Sequence, residues 1–169
     1  MENTATGFPS NYEAYGCRVN DLDPVELFRR YALAGFLYEE KRRLLAPFLD
    51  LIVDNWRKGL LAGEKLIWFA TFQDRDDWAS ICSWRGTQNG WQTQHLVSTG
   101  NPRGPKAVML AGQAVRIREW VDLSHQNWFR PANRFASRVF GSLVDTIGDQ
   151  NAVVRTFDYL AWPRGKQDA

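Results

Sequence analysis

The middle of this 169-residue chain constrains its fold most, because three segments rich in aromatic and β-branched residues follow one another there with short connections. They span residues 65–73, 78–85 and 91–98, and the second connection ends in Asn89-Gly90, a strong marker of a tight hairpin. Segments of this kind joined by tight turns are typical of neighbouring antiparallel strands. The sequence therefore predicts an antiparallel three-stranded meander.

The first strand of the meander is apolar on both faces. Alternation places Trp68 with Leu66, Ala70 and Phe72 on one face, while Ile67 and Phe69 make the other face apolar as well. A strand of this kind lies in the centre of a sheet that helices cover on both sides. Core packing is therefore the first explanation for the tryptophans at 68, 78, 84 and 91, and an apolar cleft for a ligand chain is the alternative.

Helical patterns precede and follow the meander. Asp23, Pro24 and Glu26 match an N-cap, a first-turn proline and a capping-box partner. The apolar residues of this first helix would be Val25, Phe28, Ala32 and Phe36. A second helical stretch, 41–61, places Leu45, Phe48, Ile52 and Trp56 on one stripe, with a kink at Pro47 and an end at Gly59 and Gly63.

The remaining elements complete a mixed sheet. Strands are predicted at 15–19, 127–130 and 152–162, and helices at 107–119 and at 132–147, where Gly148 ends the last helix. The order is β, α, α, β, β, β, α, β, α, β. It predicts one α/β (α+β) domain over residues 15–163, with a mixed central sheet, helices on both faces, and loose tails at 1–14 and 164–169.

Composition narrows the class of protein. Apolar residues make up 44% and charged residues 24% of the chain, as in ordinary globular domains. The net charge of +2 and the scattered arginines argue against nucleic-acid binding, and no apolar run approaches the ~20 residues of a membrane span. Cys17 and Cys82 are far apart, which suits a reducing compartment and gives no metal-binding pattern. Because residues 1–10 also lack the pattern of a signal peptide, we expect a cytoplasmic protein without a metal site.

A charged turn precedes the helix predicted at 107. It reads Asn101-Pro102-Arg103-Gly104-Pro105-Lys106. The N-terminus of a helix attracts phosphate, because its unpaired N–H groups and its dipole present positive charge. Two cationic side chains add to this charge, and Gly104 allows the backbone to bend. The pattern predicts a phosphate-binding turn, and a plain strand-to-helix loop with solvated cations is the alternative.

From about residue 15 to residue 162, the element order and two short motifs resemble the GNAT superfamily of acyl-CoA-dependent N-acyltransferases. In that family a strand, a bulge and a turn of the form Gln/Arg-x-x-Gly-x-Gly/Ala lead into a helix that binds the pyrophosphate of coenzyme A. The matching stretch here is 101–107, which departs from the pattern at Asn101 and Lys106 and carries Pro105 inside it. The second motif, Pro-x-Asn-x-x-Ala followed by an aromatic, matches residues 131–136 and Phe140.

The resemblance implies acetyl-CoA or another acyl-CoA as co-substrate and direct attack by a small-molecule or peptide amine. Backbone N–H groups of the strand around Leu96, Val97 and Ser98 would bind the acyl carbonyl. His95, or a water that it holds, would accept the proton. The pyrophosphate would lie on the turn formed by Asn101, Arg103, Gly104, Pro105, Lys106 and Ala107. Asn133 would either contact the cofactor or cap the last helix.

Several alternatives stay open. His95 also fits a half-buried strand histidine that is satisfied by a backbone partner, and His125 fits a loop residue. The acidic run 74–77 is either a solvated turn or a site that attracts a cationic amine. Phe140 stands where many family members place a proton-donating tyrosine. The second candidate function is therefore an inactive GNAT-like module for ligand sensing or protein interaction, and the oligomeric state stays open.

Overall fold

The computed structural model describes residues 12–120, 122–148 and 150–158. They divide into two compact units, the first extending to Trp128 and the second beginning at Phe129. Residues 1–11 and 164–169 of the two predicted tails lie outside the described residues, whereas Tyr12–Tyr15 form a 3-10 turn. Among the helices described, none is both long and apolar enough to cross a bilayer.

The first unit is a mixed α/β structure built on one five-stranded sheet. The strands lie in the order β1-β2-β3-β4-β5, and every neighbouring pair is antiparallel except β4 and β5, which are parallel. The predicted meander is thus confirmed. In chain order the elements are β1 (Cys17–Val19), α1 (Pro24–Leu33), α2 (Glu39–Leu45), α3 (Leu49–Leu61), β2 (Ile67–Asp74), β3 (Asp77–Thr87), β4 (Gly90–Thr99), α4 (Arg103–Arg118) and β5 (Ser124–Asn127).

Helix α1 begins at the predicted cap. The Asp23 carboxylate accepts a hydrogen bond from the backbone N–H of Val25 at 3.1 Å, and Pro24 occupies the first helical position. Glu26 is not the predicted capping-box partner, because its carboxylate accepts hydrogen bonds from Arg29 and Arg30. The buried face also differs from the predicted stripe. Leu27 and Tyr31 are buried, whereas Val25 is 53% exposed and Phe36 follows the end of the helix.

The second helical stretch breaks where Pro47 predicts it. A 3-10 turn, Ala46–Phe48, separates α2 from α3. Gly59 does not end α3 as predicted. It lies inside the helix and is buried, because the Ile67 side chain comes within 2.5 Å of the place where a Cβ would stand. The helix ends at Leu61, and Gly63, with φ +70, turns the chain towards β2.

The sheet buries both faces, as the pattern of β2 predicts. Trp68 and Ala70 pack with α4 on the α4 face, and Phe69 packs on the opposite face, the α1–α3 face. Small residues let α4 approach closely: a Cβ on Gly104 would lie 3.0 Å from that of Ala79. Trp78 and Trp91 are buried too, which confirms core packing for most of the strand tryptophans.

The elements after α4 differ from the prediction. Strand β5 occupies Ser124–Asn127, three residues earlier than predicted, because its parallel pairing with β4 starts at Gly90↔Ser124. At this point the Asn89 carbonyl accepts a hydrogen bond from the Ser124 N–H at 2.9 Å. The helical run 134–147 is present and ends at Gly148, but Ser137–Gly141 are π-helical. Residues 152–158 form no strand, since no sheet edge pairs with them among the described residues; 159–162 lie outside that range.

Candidate functional site

A bulge interrupts β4 at the position of the predicted base. The register passes from Cys82↔Gln94 to Ser80↔Val97, so His95 and Leu96 together oppose the single residue Ile81. His95 has φ +56, a left-handed conformation that few residues other than glycine adopt. The extra residue reverses the alternation of the strand, and Val97 consequently packs on the α1–α3 face while Leu96 packs on the α4 face.

Aromatic rings enclose the His95 imidazole on the α1–α3 face. Phe36 and Trp84 approach it edge-on with ring centroids at 5.2 and 5.6 Å, Trp56 stacks at 6.1 Å and 27°, and Tyr31 lies at 5.7 Å. The side chain is half-buried, as the alternative to a catalytic base predicts, but its buried Nδ1 lacks the hydrogen-bond partner that this alternative requires among the described residues.

This environment keeps the imidazole neutral. Burial, and secondarily the charge of Lys41, lowers the pKa of His95 from 6.5 to about 4. Desolvation disfavours the cation, and a nearby positive charge acts in the same direction. At pH 7 the ring therefore carries a free lone pair, as a proton acceptor requires, but the lowered pKa also makes it a weaker base than an ordinary imidazole.

The bulge begins where the pairing of β4 with β5 stops. The parallel ladder runs only from Gly90↔Ser124 to Thr93↔Asn127. Beyond it, residues 94–99 pair with β3 on one side, and no other strand of the described residues pairs with them on the other. Since successive N–H groups of a strand point to alternate neighbours, this part of β4 presents backbone donors at its unpaired edge.

Helix α4 begins four residues earlier than predicted, so Arg103, Gly104, Pro105 and Lys106 form its first turn and only Asn101 and Pro102 precede it. Carboxylates at the two ends of the β2–β3 connection hold this charged turn. The Asp77 carboxylate accepts hydrogen bonds from the backbone N–H of Asn101, at 3.1 Å, and from the Asn101 side-chain amide. The side-chain oxygen of Asn101 in turn accepts a hydrogen bond from the backbone N–H of Arg103 at 2.8 Å. The Arg103 guanidinium pairs with Asp74 at 2.9 Å and lies over the Phe72 ring. The two ends of the acidic run 74–77 thus bind the turn, a contact that the sequence analysis missed.

The rest of the turn divides between packing and exposure. Gly104 and Ala107 are buried against the sheet, which gives the glycine a packing role, and Pro105 is half-buried. Lys106 is exposed, and its ammonium has no carboxylate within ion-pair distance in the described part of the chain. Ser98, at the unpaired edge of β4, is exposed as well.

The second unit contains Asn133 and Phe140. Asn133 caps the helical run, since its side-chain oxygen accepts from the Ala136 N–H at 3.2 Å. Phe140 lies in the π-helical stretch with its ring 6.0 Å from that of Phe129. The bulge and the turn, by contrast, both belong to the first unit.

His125 is a strand residue, not the predicted loop residue. It lies in β5, where one ring nitrogen is 3.3 Å from the Trp120 carbonyl oxygen. Burial, and then the charge of Arg116, lowers the pKa of His125. The position of this histidine follows from the earlier start of β5.

A polar cluster on the α4 face was also missed. Arg116 donates to the Thr93 hydroxyl at 2.6 Å, and this hydroxyl lies 2.8 Å from that of Ser83. The spacing of Arg116 could have revealed the cluster, because it follows Val108 and Gly112 at intervals of four on the buried stripe of α4.

Two shallow cavities lie elsewhere, along α1. They have volumes of about 270 and 320 Å³ and share Arg30 and Gln73 in their walls. Both walls mix acidic and basic side chains, and the first includes Asp76 of the acidic run 74–77. The described residues also contain no grouping of three or more side chains suited to a metal ion.

No family model, no curated protein and no solved structure matches this chain.

Proposed function

We propose that this protein has a GNAT-like fold and transfers an acetyl or other acyl group from acyl-CoA to an amine. The observation that carries the proposal is the bulge of β4 at the end of the β4–β5 ladder, with α4 directly after the strand. This arrangement offers backbone donors for a carbonyl, a neutral imidazole in the same bulge and a helix N-terminus beyond it.

The chemistry that these groups support is direct acyl transfer. The amine nitrogen bonds to the acyl carbon, the carbon–sulfur bond breaks, and the thiolate leaves with a proton from solvent. N–H groups of β4 around Leu96, Val97 and Ser98 stabilise the negative charge that develops on the carbonyl oxygen. His95, directly or through a water, accepts the proton that the amine loses. The acceptor is a small-molecule or peptide amine.

The charged turn is the proposed place for the pyrophosphate. Lys106 is exposed there, and the ion pair of Arg103 with Asp74 has both side chains exposed, at 71% and 44%. Pairs of this kind contribute about 0–1 kcal/mol, so a phosphate can replace the aspartate at little cost. The dipole of α4 adds partial positive charge, although the Arg103 N–H already donates to Asn101 and Pro105 has no N–H.

The turn yields a prediction of opposite effects from neighbouring substitutions. Arg103→Ala and Lys106→Ala should each weaken acetyl-CoA binding by about fivefold, whereas Asp74→Asn should strengthen it by about twofold because it releases Arg103. Isothermal titration calorimetry measures these changes. Lys58→Ala, which removes an exposed cation paired with Asp54 on α3, is the matched control. Equal affinities for all of these variants would place the phosphates elsewhere.

Binding itself is tested by thermal unfolding. Ligand at about 100 times its Kd adds about 2.7 kcal/mol of stability, which raises the Tm of a domain of this size by roughly 5–10 °C. No shift with millimolar acetyl-CoA or a longer acyl-CoA would contradict the proposal.

A second candidate is an inactive GNAT-like module for ligand sensing or protein interaction. The carboxylates of Asp74 and Asp77 at the turn favour it, since they occupy the donors that a phosphate needs. Phe140 favours it too, because phenylalanine cannot protonate a leaving thiolate. Binding of acyl-CoA without amine-dependent release of CoA is the result that this candidate predicts.

A further inference from the structure

A row of polar side chains crosses the sheet beneath α4. Ser83, Thr93 and Asn127 lie side by side on β3, β4 and β5, in the registers Ser83↔Thr93 and Thr93↔Asn127. Arg116 reaches this row from α4 and donates to the Thr93 hydroxyl at 2.6 Å. The surroundings are apolar, with Trp91 and Trp120 stacked at 4.0 Å and 13° beside the row.

The polar groups of this cluster are incompletely satisfied. The buried Nε of Arg116 and the buried Oδ1 of Asn127 have no hydrogen-bond partner in the described part of the chain. Within the same residues no carboxylate lies within ion-pair distance of the Arg116 guanidinium. Burial lowers the pKa of Arg116, which expresses the cost of holding a cation there. An uncompensated buried charge is costly, and an anion in the cluster relieves that cost.

The cluster lies at the inner end of the proposed acyl-CoA site. Thr93↔Asn127 is the last pair of the β4–β5 ladder, and the bulge follows it on β4. From Leu96 to Thr93 the strand covers about 10 Å, which a four-carbon acyl chain spans only together with the hydrogen bonds of about 3 Å at its carbonyl and at its carboxylate. A substituent on an acyl group held at the bulge can therefore extend to the row.

We propose that Arg116, Thr93 and Asn127 bind a carboxylate, and that this carboxylate ends the acyl chain of a short dicarboxylic acyl thioester. The second part rests on the proposed function. A planar guanidinium matches a carboxylate with paired hydrogen bonds, and one cation neutralises its single charge. Because the Asn127 Oδ1 has no hydrogen-bond partner in the described part of the chain, rotating the side-chain amide by about 180° breaks no hydrogen bond of that oxygen and presents N–H donors to the same ligand.

The test compares succinyl-CoA with acetyl-CoA and with free succinate, using calorimetry on the full chain. We expect succinyl-CoA to bind at least about tenfold more tightly than acetyl-CoA, as charge-assisted hydrogen bonds to a buried cation allow. Arg116→Met should remove the preference and leave acetyl-CoA affinity unchanged. Arg118→Met, which removes an exposed cation from the same helix, should retain the preference for succinyl-CoA.

A second variant keeps the test valid should Arg116→Met fail to fold. Asn127→Asp supplies an internal carboxylate to Arg116, so it should abolish the succinyl preference while raising the Tm of the free protein. The intrinsic tryptophan fluorescence, to which the Trp91–Trp120 pair beside the cluster contributes, should respond to free succinate in the wild type and not in Arg116→Met, whether or not any CoA thioester binds. That result supports the carboxylate site independently of the proposed function.

Three outcomes would overturn the inference. One is acetyl-CoA binding with no response to succinate and no succinyl preference, which leaves the proposed function standing. Another is a succinyl preference that survives both Arg116→Met and Asn127→Asp. The third is an Arg116→Met variant that raises the KM of α-amino acid acceptors while the succinyl preference persists, which assigns the carboxylate to the acceptor.

Discussion

Lowering the pH from 7 to 4 is expected to remove about 3 kcal/mol of unfolding free energy from the wild-type chain through His95 alone. The pKa of His95 is lowered to about 4 in the folded protein from 6.5, so between these values the unfolded chain binds a proton that the folded chain does not. This contribution is fully present above pH 6.5 and is lost as the pH falls to about 4. Its cause is the aromatic enclosure of the ring, with Lys41 adding to it.

Urea unfolding of the wild type and of His95→Asn at several pH values measures this effect. Asparagine tolerates the left-handed φ of the bulge and does not titrate, so the variant isolates the histidine. The difference between the two unfolding free energies should change by about 3 kcal/mol across the range. His125→Asn, which removes an exposed histidine of β5, is the control. The difference between its unfolding free energy and that of the wild type should vary far less with pH. Parallel curves for wild type and His95→Asn would show that the ring is not held neutral.

Substitution of His95 should also have the largest effect on turnover. A positioned general base contributes about 10²–10⁴-fold to the rate, and because the pKa of His95 is near 4 rather than near 7, His95→Asn should lower kcat by about 10²-fold, the lower end of that range. Its effect on acyl-CoA affinity should be small, because the imidazole faces the α1–α3 face whereas the phosphates are proposed to lie at the turn.

The pH profile distinguishes this role from a structural one. If His95 is the base, kcat should fall on the acid side near pH 4, because the imidazole of the folded protein stays unprotonated above that value. Steady-state kinetics with His125→Asn as control measures both quantities. If His95→Asn retains wild-type kcat, another group or solvent accepts the proton.

The sequence predicts those elements that local rules govern. Segments rich in aromatic and β-branched residues and the Asn89-Gly90 turn predict the meander, and Asp23 with Pro24 predicts the start of α1, since each depends on neighbouring residues. Strand β5 is displaced in the prediction because its boundaries follow from a parallel register with β4, which no local pattern in Ser124–Asn127 reveals.

The candidate site depends on contacts between residues that are distant in sequence. His95 is visible in the strand pattern, but its φ and its aromatic neighbours arise from the bulge and from helices that precede the sheet. Asp77 contacts Asn101 across 24 residues, and Arg116 contacts Thr93 across 23. Charge in the sequence alone therefore suggests an open cationic turn, whereas folding brings carboxylates to it.

The most direct test of the proposed acyl transfer is the release of CoA thiol from acetyl-CoA by the wild-type protein, followed with a thiol reagent while a mixture of small amines and peptides is added. The proposal predicts release that depends on both protein and amine, with a matching acylated amine detected by mass spectrometry. The absence of amine-dependent release from acetyl-CoA and from succinyl-CoA, under conditions in which either thioester binds, would contradict it.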